Sequence, residues 1–239
     1  MNSIRIRFTR GDNVKFISHL DLMKLFERTL RRTGLPIAYS QGFNPHPQMV
    51  FGLPLSVGVT SEAEYADFEL SENMEPEEFI ARMNRELPEG IVISEAVVKT
   101  AKGNIMASVS GARYVLSVFL AESLELAEIS SRLEAFLEKK EIIIKKEGKG
   151  GIKDVNIRPI LHKLKVYPMN SVPQGYEEFK TVFCMEALLS AGSVSNLKPE
   201  LLLAAFAEHA GLKIGAAKIH RKELFVDQDG KMLNPLEVV

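Results

Sequence analysis

Cysteine is nearly absent from this chain of 239 residues: Cys184, in FKTVFCMEALL, stands alone. One thiol excludes an internal disulfide, a cysteine-based zinc site and a cysteine-ligated iron–sulfur cluster within the chain. It reads as a small apolar residue packed in a strand. No apolar run reaches membrane-spanning length, and the N-terminal stretch MNSIRIRFTR has no signal-type apolar core. The expectation is a soluble, cytoplasmic protein. Net charge is nearly absent too, at a formal −1, so bulk charge names no partner. The phosphate-loop pattern GxxxxGK(S/T), the nucleophile elbow GxSxG and a Ser-His-Asp set are all missing, and the five histidines match no metal signature. Neither a metal nor a cofactor is expected.

The charge that is present is unevenly spread. Residues 1–50 carry eight Lys/Arg against three acids, and residues 139–165 carry nine against three. Between them, residues 60–95 hold two arginines against eleven acids. Two basic patches separated by an acidic surface suit a polyanion bound at one place, or else balanced solvated faces.

Periodicity gives the element order. SIRIRFTR alternates apolar Ile4, Ile6 and Phe8 with arginines, the pattern of a half-buried strand with a basic outer face. Ser18 stands as an N-cap with Asp21 three residues on, and the helix that follows stops at Gly34 before Pro36. Two extended stretches, an acidic helix at EPEEFIARMNREL and a strand at IVISEAVV complete a β-α-β-β-α-β order. TAKGNIMASVSG, residues 100–111, is a linker candidate, and beyond it the order recurs with an added lysine-rich hairpin. The predicted fold is α+β: two tandem ferredoxin-like (split βαβ) domains with antiparallel sheets, spanning 1–102 and 110–239.

Three stretches are candidates for function. On the first helix Lys24, Arg28, Arg31 and Arg32 lie at i, i+4, i+7 and i+8, a stripe able to neutralise phosphates or to pair with the acidic second helix. SQGFNPHPQMVFGLPLSVG, residues 40–58, is too broken for a helix and too apolar for an ordinary loop. Tyr39, Phe43 and Phe51 offer rings on which bases stack, while Gln41, Asn44 and Gln48 offer two-sided amides. Pro45 and Pro47 bracket His46 and restrict its backbone. Taken singly, each ring suits the core; taken together, the segment suits a binding loop. The third stretch is KKEGKGGIKDVNIRPILHKLK, where Lys149, Lys153 and Arg158 surround glycines that let a backbone approach a phosphate.

The motifs FISHLDL, RRTGLP, YSQGFNPHP and GLPLSVG, within residues 15–70, carry a resemblance. They resemble a bacterial family of radical-SAM-linked proteins of uncharacterised function, fused to or encoded beside radical-SAM proteins. IRPIL, residues 157–161, is similar to a later element of that family. The resemblance implies a small accessory partner for a radical-SAM enzyme. Its members' frequent proximity to ribonuclease G and large-subunit ribosomal protein genes implies work on RNA or the ribosome. Without the cysteine triad, this chain cannot itself hold the radical-SAM cluster. In element order it also resembles CRISPR-type RNA-processing endonucleases, which implies a histidine acting as general base on a ribose 2′-OH; His19 or His46 would fill that role.

The functional expectation is a non-catalytic RNA-binding module that presents tRNA, rRNA or the ribosome to a radical-SAM protein. Lys24, Arg28, Arg31, Arg32, Lys149, Lys153 and Arg158 would contact phosphates, and Tyr39, Gln41, Phe43, Asn44 and His46 would meet bases or the partner. The alternatives are a metal-independent endoribonuclease using His19 or His46, and a protein-only docking module in which GFNPHP seats on the radical-SAM partner.

Overall fold

Ile4, Ile6 and Phe8 do point one way in β1 (Asn2–Arg10), as their alternation requires. A computed structural model describes residues 2–148 and 151–239. The next elements are α1 (His19–Thr33), β2 (Met49–Phe51), β3 (Thr60–Leu70), α2 (Pro76–Glu86), β4 (Ile93–Lys99) and the short α3 (Ile105–Ser108). Then come β5 (Val109–Leu120), α4 (Leu126–Leu137), a hairpin of β6 (Ile143–Gly148) and β7 (Gly151–Asn156), β8 (Leu161–Pro168), β9 (Thr181–Ser190), α5 (Pro199–Ala210), β10 (Ile214–Gln228) and β11 (Lys231–Leu233).

The chain divides into two compact units, residues 1–111 with 221–239, and residues 112–220. The predicted division differs in two respects: the linker candidate at 100–111 belongs with the first unit and contains α3 and the start of β5, and residues 221–239 return to that unit. The physical reason for the return is the length of β10, 15 residues, whose second half pairs with the first unit's β3 and β11.

Unit 1 is built on the strand order β4-β1-β3-β10, with β2 also paired to β3. The β1/β3, β1/β4, β2/β3 and β10/β11 pairs are antiparallel. Leu22, Phe26 and Leu30 of α1, with Phe79 and Met83 of α2, pack on Ile4, Ile6, Phe8 and Phe68. Each such buried side chain contributes about 1.5–3 kcal/mol. Ser18 caps α1 by accepting the Asp21 N–H at 3.2 Å, and Gly34 ends it in the left-handed region at φ 60°. Arg82 of α2 donates to the Thr33 and Gly34 carbonyls at 2.7 and 2.8 Å, so a cation sits where the α1 dipole is negative.

The basic face of β1 departs from expectation. Arg5 and Arg10 are buried, not solvated. Asp67 on β3 receives Arg5 Nε at 2.6 Å and Nη2 at 3.1 Å, and Arg5 Nη1 donates to the Pro235 and Val238 carbonyls. The C-terminal turn thus covers this face. Phe51 is a second departure: it is a core ring, edge-on to Phe8 and Phe26, and offers no stacking platform.

Unit 2 has the strand order β10-β5-β9-β8, with β8 and β9 antiparallel. Its core joins Leu116 and Val118 of β5 with Ile129 and Phe136 of α4, Met185 and Leu189 of β9 and Phe206 of α5. The β6/β7 hairpin forms a separate two-stranded sheet between α4 and β8. Both units are mixed α+β with mostly antiparallel strands. In each, the first strand lies between the third and fourth, and the second pairs with the third.

A second buried ion pair tests this packing. Arg221 Nη1 lies 2.8 Å from Glu64 Oε1, with the two side chains 2% and 6% exposed. Arg221→Met strands the Glu64 carboxylate, so the urea midpoint is expected to fall by the equivalent of about 3–5 kcal/mol, with most of the loss restored in Arg221→Met/Glu64→Leu. A single variant of unchanged stability would show that the pair is not buried in solution.

Candidate functional site

On α1 the side chains of Lys24, Arg28, Arg31 and Arg32 are all exposed, as the helical spacing requires. They are not equivalent. Arg32 is engaged with α2: its Nε lies 2.9 Å from Glu86 Oε2 and its Nη2 donates to the Glu86 carbonyl at 2.8 Å. Lys24, Arg28 and Arg32 line a depression of about 490 Å³ together with Ile17, Leu25, Glu86 and Pro88.

The segment after α1 is a finger clamped at its base. Tyr39 bridges to Pro47. Ser40 N–H donates to the His46 carbonyl at 2.9 Å, and His46 N–H donates to Ser40 Oγ at 3.0 Å. Below that, Ala38 N–H donates to the Glu69 carbonyl and Glu69 N–H to the Gln48 carbonyl, which fastens both arms to β3. The clamp leaves Gln41, Phe43, Asn44 and His46 exposed at the tip, and Tyr39 partly so. Phe43 has no cover at all, at 107% relative exposure. His46 Nδ1 sits 3.8 Å from Glu27 Oε1 on α1. Glu27 is three residues from Lys24 and four from Arg31, so the finger stands beside the cationic stripe. Unit 1 therefore holds the finger tip and α1 in contact at His46 and Glu27, while Arg32 is engaged with α2 and Phe51 with the core.

The third stretch lies in unit 2. Lys153 is exposed on β7, paired across the hairpin with Lys146. Lys149 falls outside the described residues. Arg158 belongs to a 3₁₀ turn, Arg158–Ile160, not to the following strand, and its Nη1 donates to the Leu161 carbonyl at 3.3 Å.

His19 opens α1 and is half-buried, its ring edge-on to Phe51 with centroids 5.8 Å apart. Burial holds its pKa below the usual histidine value; Arg10 acts in the same direction and Glu64 against it. Among the described residues, no three His, Cys, Asp or Glu side chains are grouped to hold a metal ion.

Sequence reading missed the buried charges of unit 1. Arg10, Glu64, Asp67 and Arg221 are all 5% exposed or less. Arg221 donates to Glu64 and to the Leu53 and Pro54 carbonyls, and Arg10 Nη2 to the Ile17 carbonyl at 2.9 Å. Two arginines thus pin the GLPL and FISH segments from beneath. Arg10 Nε and Nη1 have no hydrogen-bond partner among the described residues. Its burial pulls the guanidinium's pKa down from the ordinary arginine value, Glu64 opposes this, and Arg221 adds to it. A signal was present: acids at Glu64 and Asp67 in a strand otherwise alternating with apolar residues match a basic strand lying alongside.

The sequence profile of a family described as "Uncharacterized protein conserved in bacteria (DUF2344)" matches residues 3–199. No curated protein matches the chain. Among solved structures, a chain of a Cbf5-Nop10-Gar1 complex is similar with a TM-score of 0.53 at 11% identity, over 93% of this chain and 48% of that one. A chain of the archaeal box H/ACA sRNP Nop10-Cbf5 complex follows at 0.44 and 10% identity, over 92% of this chain and 46% of that one. A chain of an H/ACA RNP bound to a substrate RNA containing 2′-deoxyuridine gives 0.43 and 10%, over 96% and 47%. The first likeness is one of fold, and this chain spans about half the length of each of those chains.

The setting of His19 has a pH signature. A histidine whose folded pKa is depressed contributes stability that is complete above its unfolded value, about 6.5, and is lost as pH falls through the folded value. Urea midpoints of the wild type are expected to drop below about pH 6.5, and His19→Gln should flatten that drop. Parallel profiles would show that His19 is solvated.

Proposed function

The chain belongs to the DUF2344 family of uncharacterised bacterial proteins, and we propose that it acts as an RNA-binding accessory module. The RNA would be tRNA, rRNA or the ribosome, presented to a radical-SAM protein. One observation carries this reading: the clamped finger displays an uncovered Phe43 three residues from His46, which lies 3.8 Å from Glu27 on the helix that bears the exposed cations. A flat ring in water and exposed cations such as Lys24, Arg28 and Arg31 in one unit are the means that single-stranded RNA binding uses, with bases on the ring and phosphates on the cations. Gln41 and Asn44 at the same tip supply donors and acceptors for base edges. Tyr39 and His46 flank the contact. In unit 2, Lys153, Arg158 and Lys149 extend the phosphate-binding set. The radical-SAM partner rests on the resemblance of residues 15–70 alone. In this reading each unit is a ferredoxin-like module, which the repeated strand order supports.

A second reading has its own observation behind it. Burial, and Arg10 with it, bias His19 toward the neutral form that a general base needs. Cleavage of RNA in EDTA that disappears in His19→Gln or His46→Ala would select an endoribonuclease over a binding module.

The binding reading is tested by retention of mixed transcripts across a salt gradient. Wild-type affinity should fall steeply with salt, and Arg28→Glu/Arg31→Glu should weaken binding and lower the slope of log K against log salt by about two. Phe43→Ala should cost about 1–3 kcal/mol of affinity with the slope unchanged. No association with any transcript at low ionic strength would overturn the proposal; co-purification with a radical-SAM protein free of RNA would replace it with protein docking.

A further inference from the structure

Unit 2 contains a cleft of about 530 Å³ at strand β8, within the range of small-molecule sites. Its lining is basic: Arg113, Arg158, Lys163 and Lys165, with the imidazole of His162, face a single carboxylate, Glu186. That carboxylate already lies 3.3 Å from Lys165 Nζ. The remaining lining is leucine, from α4, β8 and β9. A cleft lined by leucines and by cations matches a ligand that is flat and apolar at one end and anionic at the other.

Two features indicate a built site rather than scattered surface charge. The first is a register shift between β8 and β9. Leu161 pairs with Leu189, whereas Lys163 pairs with Leu188, so His162 is an extra residue. Such a bulge lets neighbouring side chains serve one side of a strand, and both His162 and Lys163 line the cleft. The second is fixation. His162 Nε2 lies 2.9 Å from Oγ of Ser190, which is buried, and Arg158 is held by the Leu161 carbonyl and by its own N–H on Asn156 Oδ1. Lysines alone on an edge strand would serve to block strand pairing. Two arginines and a leucine lining exceed that need.

We propose that this cleft binds a nucleotide, with its phosphate on Arg158 and Lys163 and its base against the leucines. The phosphate ester would come either from a free nucleotide or from the terminal residue of an RNA strand. The second source rests on the RNA-binding reading above; the first does not.

The test uses the full chain and one short RNA made with a 5′-phosphate, a 3′-phosphate or neither, alongside the four nucleoside 5′-monophosphates. Titrations followed by fluorescence anisotropy and calorimetry should show one phosphorylated form binding at least fivefold tighter than the hydroxyl-ended strand, with a mononucleotide competing for that advantage. Lys163→Glu, at an exposed side chain outside the RNA-contacting set above, should erase the advantage and leave hydroxyl-ended RNA unaffected; Arg158→Ala should erase it too, while costing hydroxyl-ended RNA no more than one phosphate contact. If all RNA ends bind alike and no mononucleotide binds, the cleft proposal is overturned while RNA binding through unit 1 stands. Should no RNA associate, yet a mononucleotide bind wild type and not Lys163→Glu, the RNA reading is lost and the cleft is upheld. A terminal preference that survives both variants also overturns it.

Discussion

Unit 1 depends on one buried pair, Arg5 with Asp67. Asp67 takes two N–H groups from Arg5 and a third from the backbone of Ile105, at the start of α3. Arg5 in turn satisfies two carbonyls of the C-terminal turn. A single charge-assisted network therefore fixes β1 on β3, seats α3 and closes the sheet face with residues far away in sequence. Two charges leave water at a cost, and only full hydrogen bonding offsets it. Surface pairs such as Lys222 with Glu62 carry much less, because solvent screens them and their side chains lose freedom.

The finger is a dependent of that arrangement. Both of its arms hydrogen-bond β3 near Glu69, two residues from Asp67. The tip is displayed because its base is tied to a strand that is itself locked. The buried guanidinium groups beneath the GLPL and FISH segments act similarly, holding the carbonyls of two irregular stretches where no regular partner exists. Irregular backbone next to a core needs such donors, since unsatisfied carbonyls are costly there.

Much of this was legible in the sequence where the signal is local. The caps of α1 at Ser18 and Gly34 and the exposure of Lys24, Arg28 and Arg31 follow from short-range spacing. What failed were inferences that require knowing what lies opposite. Arg5 looked like a solvated partner to Ile4 and Ile6, because alternation alone cannot show that Asp67 and the C-terminal turn cover the other face. Phe51 looked interchangeable with Phe43 for the same reason: the two rings share a segment, yet one lies in the clamp-free tip and the other in β2, against Phe8 and Phe26. The bulge at His162 was invisible because it is a property of a pair of strands.

The course of β10 through both units bears on how the chain is made. Unit 2 is continuous in sequence, so a ribosome releases all of it before the last strand of its neighbour exists. Unit 1 has most of its residues early yet lacks Arg221 and the turn at Pro235 until residues 221–239 are made. During translation Glu64 must wait for Arg221, and Arg5 for the Pro235 and Val238 carbonyls, while the later unit is free to fold. The unit begun before residues 112–220 are made is thus completed only after them, so its buried acid and arginine meet late.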